Sequence, residues 1–445
     1  MKFFLKKLVA YILRIESRLV IRKYKPKIIA ITGSVGKTST KDAVFAVLSG
    51  ITHVRKSEKS YNSEIGLPLT ILGVPNGWNN PFVWLKNILK GLWLFVAPHK
   101  YPKWLVLEVG VGQPGDIRRT ASWLKTDAVI ITAIGETPAH IEFFNSRKVL
   151  IEEKSQLIKT LKKEGLLVIN ADDEDALSMQ NGVQEKHRTV TYGFREGSDI
   201  TGSSPDILYD RGGAPHGVIF RIDAGGNSLP VSIGGVFGKN HVYASLAAIA
   251  LASGLKFNVL SAIDSLKEYD VSPGRMKLLK GINDSLIIDD TYNSSPTACR
   301  AALETLGEVK TKENKENKEN QGRKIAVLGD MLQLGRHTGE AHKNIGVVAA
   351  RILGKKGVLL TVGPRAKSIM EGAIGEGMKE KNIFEFVDSS GAGEFLENFV
   401  KKDDLILVKG SQDMRMERTV EKILLDKESK EKLLVRQEEE WKNRI

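Results

Sequence analysis

Chemistry is first visible at residues 32–39, Thr32-Gly33-Ser34-Val35-Gly36-Lys37-Thr38-Ser39, which follow the apolar run Ile28–Ile31 and open a helical stretch from about Lys37 to Leu48. Glycines let backbone N–H groups close around phosphate oxygens, and a helix N-terminus adds its positive end. In such a loop Lys37 would reach the β- and γ-phosphates of a nucleotide, and the Thr38 hydroxyl would bind Mg²⁺. Residue 31 is Ile where the general phosphate-loop pattern has its first Gly, and an ordinary glycine turn before a helix is the plainer alternative. Glu108 ends a second apolar run, Leu105–Leu107, and Gly110, Gly112 and Gly115 follow it. A carboxylate at the carboxyl end of a strand is a good Mg²⁺ ligand in a nucleotide-binding sheet. Asp127, near the start of the next run, is worse placed. Taken alone, His140 would read as a loop histidine and Lys154 as a helix-surface lysine.

These residues need a scaffold, and the hydrophobic pattern supplies one. Short apolar runs at 28–31, 105–107, 128–131 and 166–169 have helical segments between several of them. That is the look of a parallel sheet covered by helices. A second α/β block begins after Ser272-Pro273-Gly274-Arg275, with strands expected at 286–288, 325–328, 358–362 and 405–408. The expected architecture is therefore α/β: residues 1–26 a basic amphipathic helix, 27–271 a central P-loop ATPase-type domain with a parallel sheet, and 272–445 a Rossmann-like C-terminal domain. Residues 311–321, built on a threefold Lys-Glu-Asn repeat, read as a solvated low-complexity loop.

Composition narrows the class. The 445-residue chain is 42% hydrophobic and 27% charged, which excludes disorder of the whole chain and a fibrous repeat. Its one cysteine, Cys299, excludes a disulfide framework and a cysteine-built metal site, and fits a reducing, cytoplasmic compartment. No apolar run reaches the ~18–20 residues of a spanning helix. In residues 1–27 nine cations stand against Glu16, which is +8 of the net +13. The charge is thus a local device, and no nucleic-acid-binding signature accompanies it. This basic segment would either dock on the next domain or touch the inner face of a membrane. The stretch 82–96, flanked by Pro81 and Pro98, places Leu85, Ile88, Leu89, Leu92 and Val96 on one helical face with Lys86, Asn87 and Lys90 opposite. Core packing of that apolar face is the expectation, with an interfacial helix as the alternative.

From about Lys27 to Lys422 the chain resembles the Mur ligase family of ATP-dependent amide-bond-forming enzymes. The phosphate loop looks like the family's variant, which also lacks the first Gly. Tyr61-Asn62-Ser63-Glu64-Ile65-Gly66-Leu67-Pro68 resembles its Asn-Asn-Glu-Ile-Gly-Val-Pro segment, and Glu108-Val109-Gly110 its Glu-Met-Gly. His140 and Lys154 fall at the family's spacing for a metal-binding histidine and a lysine carbamylated by CO₂. Ser272–Arg275, Asp289-Asp290-Thr291-Tyr292-Asn293-Ser294-Ser295-Pro296 and Lys409-Gly410-Ser411-Gln412-Asp413-Met414-Arg415-Met416-Glu417 are similar to its C-terminal motifs. Leu328–Gly335, with His342 and Gly346, resembles the members that add D-alanyl-D-alanine.

The resemblance implies an ADP-forming acid–amino-acid ligase of peptidoglycan synthesis, joining D-Ala-D-Ala to a muramyl tripeptide through an acyl phosphate. It implies ATP on Gly33, Ser34, Val35, Gly36, Lys37, Thr38 and Ser39, with Asn240, Arg275, Asp290, Tyr292 and Asn293 contributing from further along the chain. Mg²⁺ would be held by Thr38, Glu108, His140 and carbamylated Lys154. Asn62, Glu64, Lys409, Ser411 and Arg415 are the candidate substrate residues. Lys37, Glu108, His140 and Lys154 are the catalytic set.

Two departures stand out. Gly238-Lys239-Asn240-His241 inverts the family's His-Asn order, and Ala244 replaces its second Asn. Before the first strand there is a basic segment where relatives carry a uridine-gripping domain, so weak dependence on UDP is expected. Competing readings are a related ligase with another carboxylate donor, membrane-associated or not, and a nucleotide-binding scaffold without activity. Oligomeric state is not legible.

Overall fold

The computed structural model describes residues 3–135, 141–182, 187–311 and 322–442, with no side-chain description at residues 3, 4, 141 and 182. His140 and the Lys-Glu-Asn tract lie outside the described residues. The chain divides into two compact units, one of residues 1–203, 221–229 and 242–270, the other of 204–220, 230–241 and 271–445.

In chain order the strands of the first sheet are β1 (Lys27–Thr32), β2 (Val54–Lys56), β3 (Trp104–Glu108), β4 (Thr126–Ile131), β5 (Leu161–Asn170), β6 (Arg188–Gly193), β7 (Ile200–Tyr209), β8 (Pro215–Ala224) and β9 (Asn227–Gly234). Their order is β2-β3-β1-β4-β5-β6-β7-β8-β9, and the pairs from β2 to β6 are parallel. β1, β3 and β4 are almost wholly buried and apolar, as strands covered on both faces must be. Because β1 lies between β3 and β4, their carboxyl ends flank the turn that leaves β1, the usual place for a ligand in such a sheet.

The first unit includes the helices α1 (Phe3–Tyr24), α2 (Lys37–Ser49), α3 (Gly66–Leu72), α4 (Pro81–Val96), α5 (Asp116–Ala121) and α6 (Arg147–Ser155). α1 is docked: Val9, Leu13 and Val20 join one apolar cluster with Leu67 and Leu72 of α3 and Trp84 and Leu94 of α4. α4 begins on the Asn80 side chain, which accepts from the N–H groups of Phe82 and Val83, with Pro81 at the first turn. The expectation for its core face is overturned. Trp84, Asn87, Gly91 and Leu94 face inward, while Leu85, Leu89, Leu92 and Val96 face out and, of the expected face, Ile88 alone packs half-buried against the core cluster. Asn87 is buried at no polar cost because its Nδ2 donates to Pro75 O at 2.7 Å.

The second sheet holds β10 (Lys277–Lys280), β11 (Leu286–Asp290), β12 (Lys324–Gly329), β13 (Val358–Val362), β14 (Ile383–Phe386) and β15 (Leu405–Lys409), in the order β10-β11-β15-β12-β13-β14. Only the β10–β11 pair is antiparallel. Helices Pro296–Glu308, Thr338–Leu353 and Ser389–Phe399 lie between successive strands in the chain, and apolar side chains pack against both faces of the sheet.

Candidate active site

β1 ends at Thr32, and the chain turns through Gly33 and Gly36 into α2. A Cβ at Gly33 would collide with Thr132 Oγ1, and Gly36 has φ +84°, so each glycine is required for a different reason. The N–H groups of Ser34 and Val35 donate to Ala133 O at 2.8 and 3.0 Å, pinning the loop to the end of β4. The N-cap residue of α2 is Gly36, which has no side chain to cap the helix, and a helix N-terminus of this kind suits an anion. Lys37 Nζ folds back onto Gly33 O at 3.0 Å and Ser34 O at 3.3 Å.

Around the loop the structure gathers oxygens. Thr38 Oγ1 donates to Glu108 Oε2 at 3.0 Å and lies 2.9 Å from Ser60 Oγ. Glu108, buried at the end of β3, also receives Asn62 Nδ2 at 3.2 Å and Ser60 Oγ at 3.3 Å. Asn62 is held in turn by its carbonyl, which accepts from Gly110 N at 2.9 Å. Thr38, Glu108 and Asn62 thus come together as expected, whereas Glu64 is exposed and lies 3.8 Å from Arg14 of α1. Among the described residues no three His, Cys, Asp or Glu side chains form a metal cluster by themselves. The oxygen set here relies on hydroxyls instead.

Lys154 sits beneath the loop. α6, capped by Ser146, carries it inward, and its Nζ donates to Gly33 O at 2.8 Å, the carbonyl that Lys37 also uses. Burial, then the neighbouring Lys37 charge, holds its pKa well below the ordinary lysine value, only partly offset by Glu153. Glu153 is committed elsewhere, accepting from Ile117 N and Arg118 N at the start of α5. Asp127 is a scaffold residue: it accepts from Ile28 N and pairs with Lys162.

Sequence reasoning missed Ser60 and Lys41. Lys41 is fully buried one turn after Lys37, and its Nζ donates to Ser57 O at 3.0 Å and Lys59 O at 3.4 Å. It braces the segment that presents Ser60 and Asn62. A basic residue at i+4 from Lys37 on a buried helix was the available signal.

In the second unit the carboxyl ends of β11 and β15 form another polar cluster. Asp290 and Lys409 are register partners, with Lys409 Nζ 2.6 Å from Asp290 Oδ2 and 2.9 Å from Asn293 O. Asp289 is fully buried, accepts from Gly274 N and from Thr291, and has its pKa raised by burial to about 6. Arg275 stacks 3.8 Å over the Tyr292 ring. Asn240 is half-buried, while His241 is buried and bonded through Nε2 to Arg275 O at 2.9 Å. Ser411 Oγ accepts from Leu332 N and lies 3.4 Å from Ser294 O. His342 accepts from Met331 N at Nε2, so Nδ1 carries the proton toward Thr338 O, and burial lowers its pKa. Arg415 is buried against Glu417, 2.6 Å away, and Arg436 pairs with the same carboxylate. Its charge is met inside the unit, which the sequence motif did not reveal.

A glycine turn on a helix N-terminus, a lysine in the loop and a hydroxyl–carboxylate pair at the sheet edge define a P-loop α/β protein. Residues 86–252 match the Mur ligase middle domain, and residues 274–412 match the Mur ligase glutamate ligase domain. The UDP-N-acetylmuramoyl-tripeptide–D-alanyl-D-alanine ligase of Bacillus subtilis is 30% identical over 402 residues, 89% of this chain and 76% of that one. The enzyme of the same name from Escherichia coli is 25% identical over 404 residues, 90% and 77% of the two chains. The crystal structure of a MurF ligase from Thermotoga maritima in complex with ADP superposes with a TM-score of 0.72 at 26% identity, covering 93% of this chain and 83% of that one. The chain belongs to the Mur ligase family.

Proposed function

We propose that the chain is an ATP-dependent ligase that joins a muramyl tripeptide to D-Ala-D-Ala in peptidoglycan synthesis, releasing ADP and phosphate. The observation that carries this reading is the cluster of Lys37, Thr38, Glu108, Asn62 and Lys154 around one glycine turn. A carboxylate is a poor acyl donor at neutral pH. Its oxygen attacks the γ-phosphorus of ATP, the bond to the β-phosphate oxygen breaks, and ADP leaves an acyl phosphate. The dipeptide amine then attacks the acyl carbon, phosphate departs, and a proton is lost from nitrogen. Most of the protein's task is positioning and charge compensation.

Lys37 leaves its loop carbonyls for the β- and γ-phosphate oxygens, and the first N–H groups of α2 supply further donors. Thr38, Ser60 and Glu108 are hard oxygen donors already gathered at 2.9–3.3 Å, which fits Mg²⁺. Bound there, the ion offsets phosphate charge. His140 and a carbamylated Lys154 belong to the same proposed set. An amine buried beside one carbonyl, with no carboxylate partner among the described residues, suits uptake of CO₂ into an anionic oxygen ligand. Asn240, Arg275, Asp290, Tyr292 and Asn293 are proposed for the nucleotide. Lys409 and Ser411 are proposed for the dipeptide, with Arg415 acting through Glu417. Peripheral membrane contact rests on α1 and α4, apart from the catalytic cluster.

The test is phosphate release with ATP and Mg²⁺ over a panel of muramyl peptides, UDP-linked and free, with and without D-Ala-D-Ala, the product being identified by mass. Release that requires both a muramyl tripeptide and the dipeptide is expected. Ligation of a different carboxylic acid would move the chain to another donor.

A further inference from the structure

We propose that the outward faces of α1 and α4 form a docking surface for an anionic lipid bilayer, on which the chain lies without crossing it. At 100° per residue, Phe82, Leu85, Leu89, Leu92, Trp93 and Val96 of α4 fall within an arc of about 100°. All six are exposed, Phe82 at 79%, Trp93 at 60% and Leu89 at 57%. The opposite face carries Trp84, Asn87, Gly91 and Leu94 into the core. A surface helix normally turns its polar side to water, so α4 is apolar on the side that should be polar. On α1, Leu5, Leu8 and Ile15 are exposed as well, while Val9, Leu13 and Val20 are buried.

The two helices are one assembly. Lys23 Nζ donates to Phe95 O at 2.8 Å and Leu94 O at 3.1 Å, Tyr24 Oη donates to Leu94 O at 2.9 Å, and the Glu16 carboxyl lies over Gly91. An exposed apolar arc of this size on α4 marks a contact site.

The charge around it selects the partner. α1 carries Lys6, Lys7, Arg14, Arg18, Arg22 and Lys23 against one carboxyl, that of buried Glu16, and α4 adds Lys86 and Lys90 beside its apolar arc. Cations flanking an exposed apolar face, with a tryptophan in it, match an anionic headgroup layer over hydrocarbon. Among the described residues no helix is long and apolar enough to span a membrane.

This inference does not depend on the ligase reading. The full chain is floated with vesicles of phosphatidylcholine alone and of phosphatidylcholine with phosphatidylglycerol, at low and high salt. Binding to the anionic vesicles that weakens with salt is expected. The double variant Leu89→Ser/Trp93→Ser should bind at least ~10-fold more weakly, with its thermal midpoint and ATP turnover unchanged, since both side chains are exposed. Absence of binding at low salt, or equal binding by the variant, would overturn the proposal. So would a self-associated chain that the same variant disperses without any vesicle binding, which would assign the surface to a second copy.

Discussion

Two lysines are buried at the carboxyl ends of two sheets, and they are held in opposite ways. Lys409 in the second unit has a carboxylate oxygen 2.6 Å away and a carbonyl at 2.9 Å. Lys154 in the first has the Gly33 carbonyl and, nearby, the like charge of Lys37. Removing Lys409 would leave a buried carboxylate uncompensated. Burial and then the Lys37 charge push Lys154 toward its neutral form, with Glu153 offsetting only part of that. The same residue type thus sits in an ion pair in one unit and beside a carbonyl and a like charge in the other.

The comparison can be broken by substitution. The largest effect is expected from Lys37→Ala, which removes the cation at the phosphates: ATP turnover should fall at least ~10³-fold with circular dichroism unchanged. Normal turnover would remove Lys37 from the mechanism. Next come the two buried lysines. Lys409→Met should leave Asp290 unpaired and cost about 3–5 kcal/mol of unit stability, read as a lowered thermal midpoint. Lys154→Met should keep or raise the midpoint, because folding no longer buries an amine whose charged form burial disfavours. Its ligase activity should nevertheless fall ~100-fold or more. Short-chain carboxylates should restore part of the activity in Lys154→Ala, where they have room to supply the missing oxygens. A destabilised Lys154→Met with residual activity in proportion to the folded fraction would make Lys154 a brace after all.

The loop, Glu108 and the two α/β blocks were legible because they depend on local pattern: a strand, a glycine turn, a helix and a carboxylate at a strand end. The role suggested for Lys154 was legible only through family spacing, since nothing around it in sequence announces burial. α4 was misread because its apolar residues surround the helix, so periodicity could not tell which arc meets the core. Gly91 and Asn87, the two residues that favour close packing and a buried hydrogen bond, held that answer. Arg415 was read as open to substrate because Glu417, two residues on, looked like part of the motif and not its counter-charge.

The smallest expected effect concerns Glu16. Burial raises its carboxyl from 4.5 to about 7, so the folded chain binds a proton that the unfolded chain has released. Stability should therefore be fully present below about pH 4.5 as far as this group is concerned, and should decline as pH rises toward 7. Between pH 5 and 8 the midpoint of the first unit should drop by a few degrees, and Glu16→Gln should flatten that slope. An unchanged slope would mean that Glu16 is solvated in solution.

The clamp of Lys23 and Tyr24 on the last carbonyls of α4 has a consequence for local opening. Those carbonyls are the ones a helix end leaves unpaired, and here a different helix satisfies them. Neither helix frays alone without exposing the other's apolar contacts or its polar backbone. Amide exchange should accordingly find the C-terminal turns of α1 and α4 opening as one cooperative unit with a shared free energy, and ligand at the phosphate loop should slow both or neither.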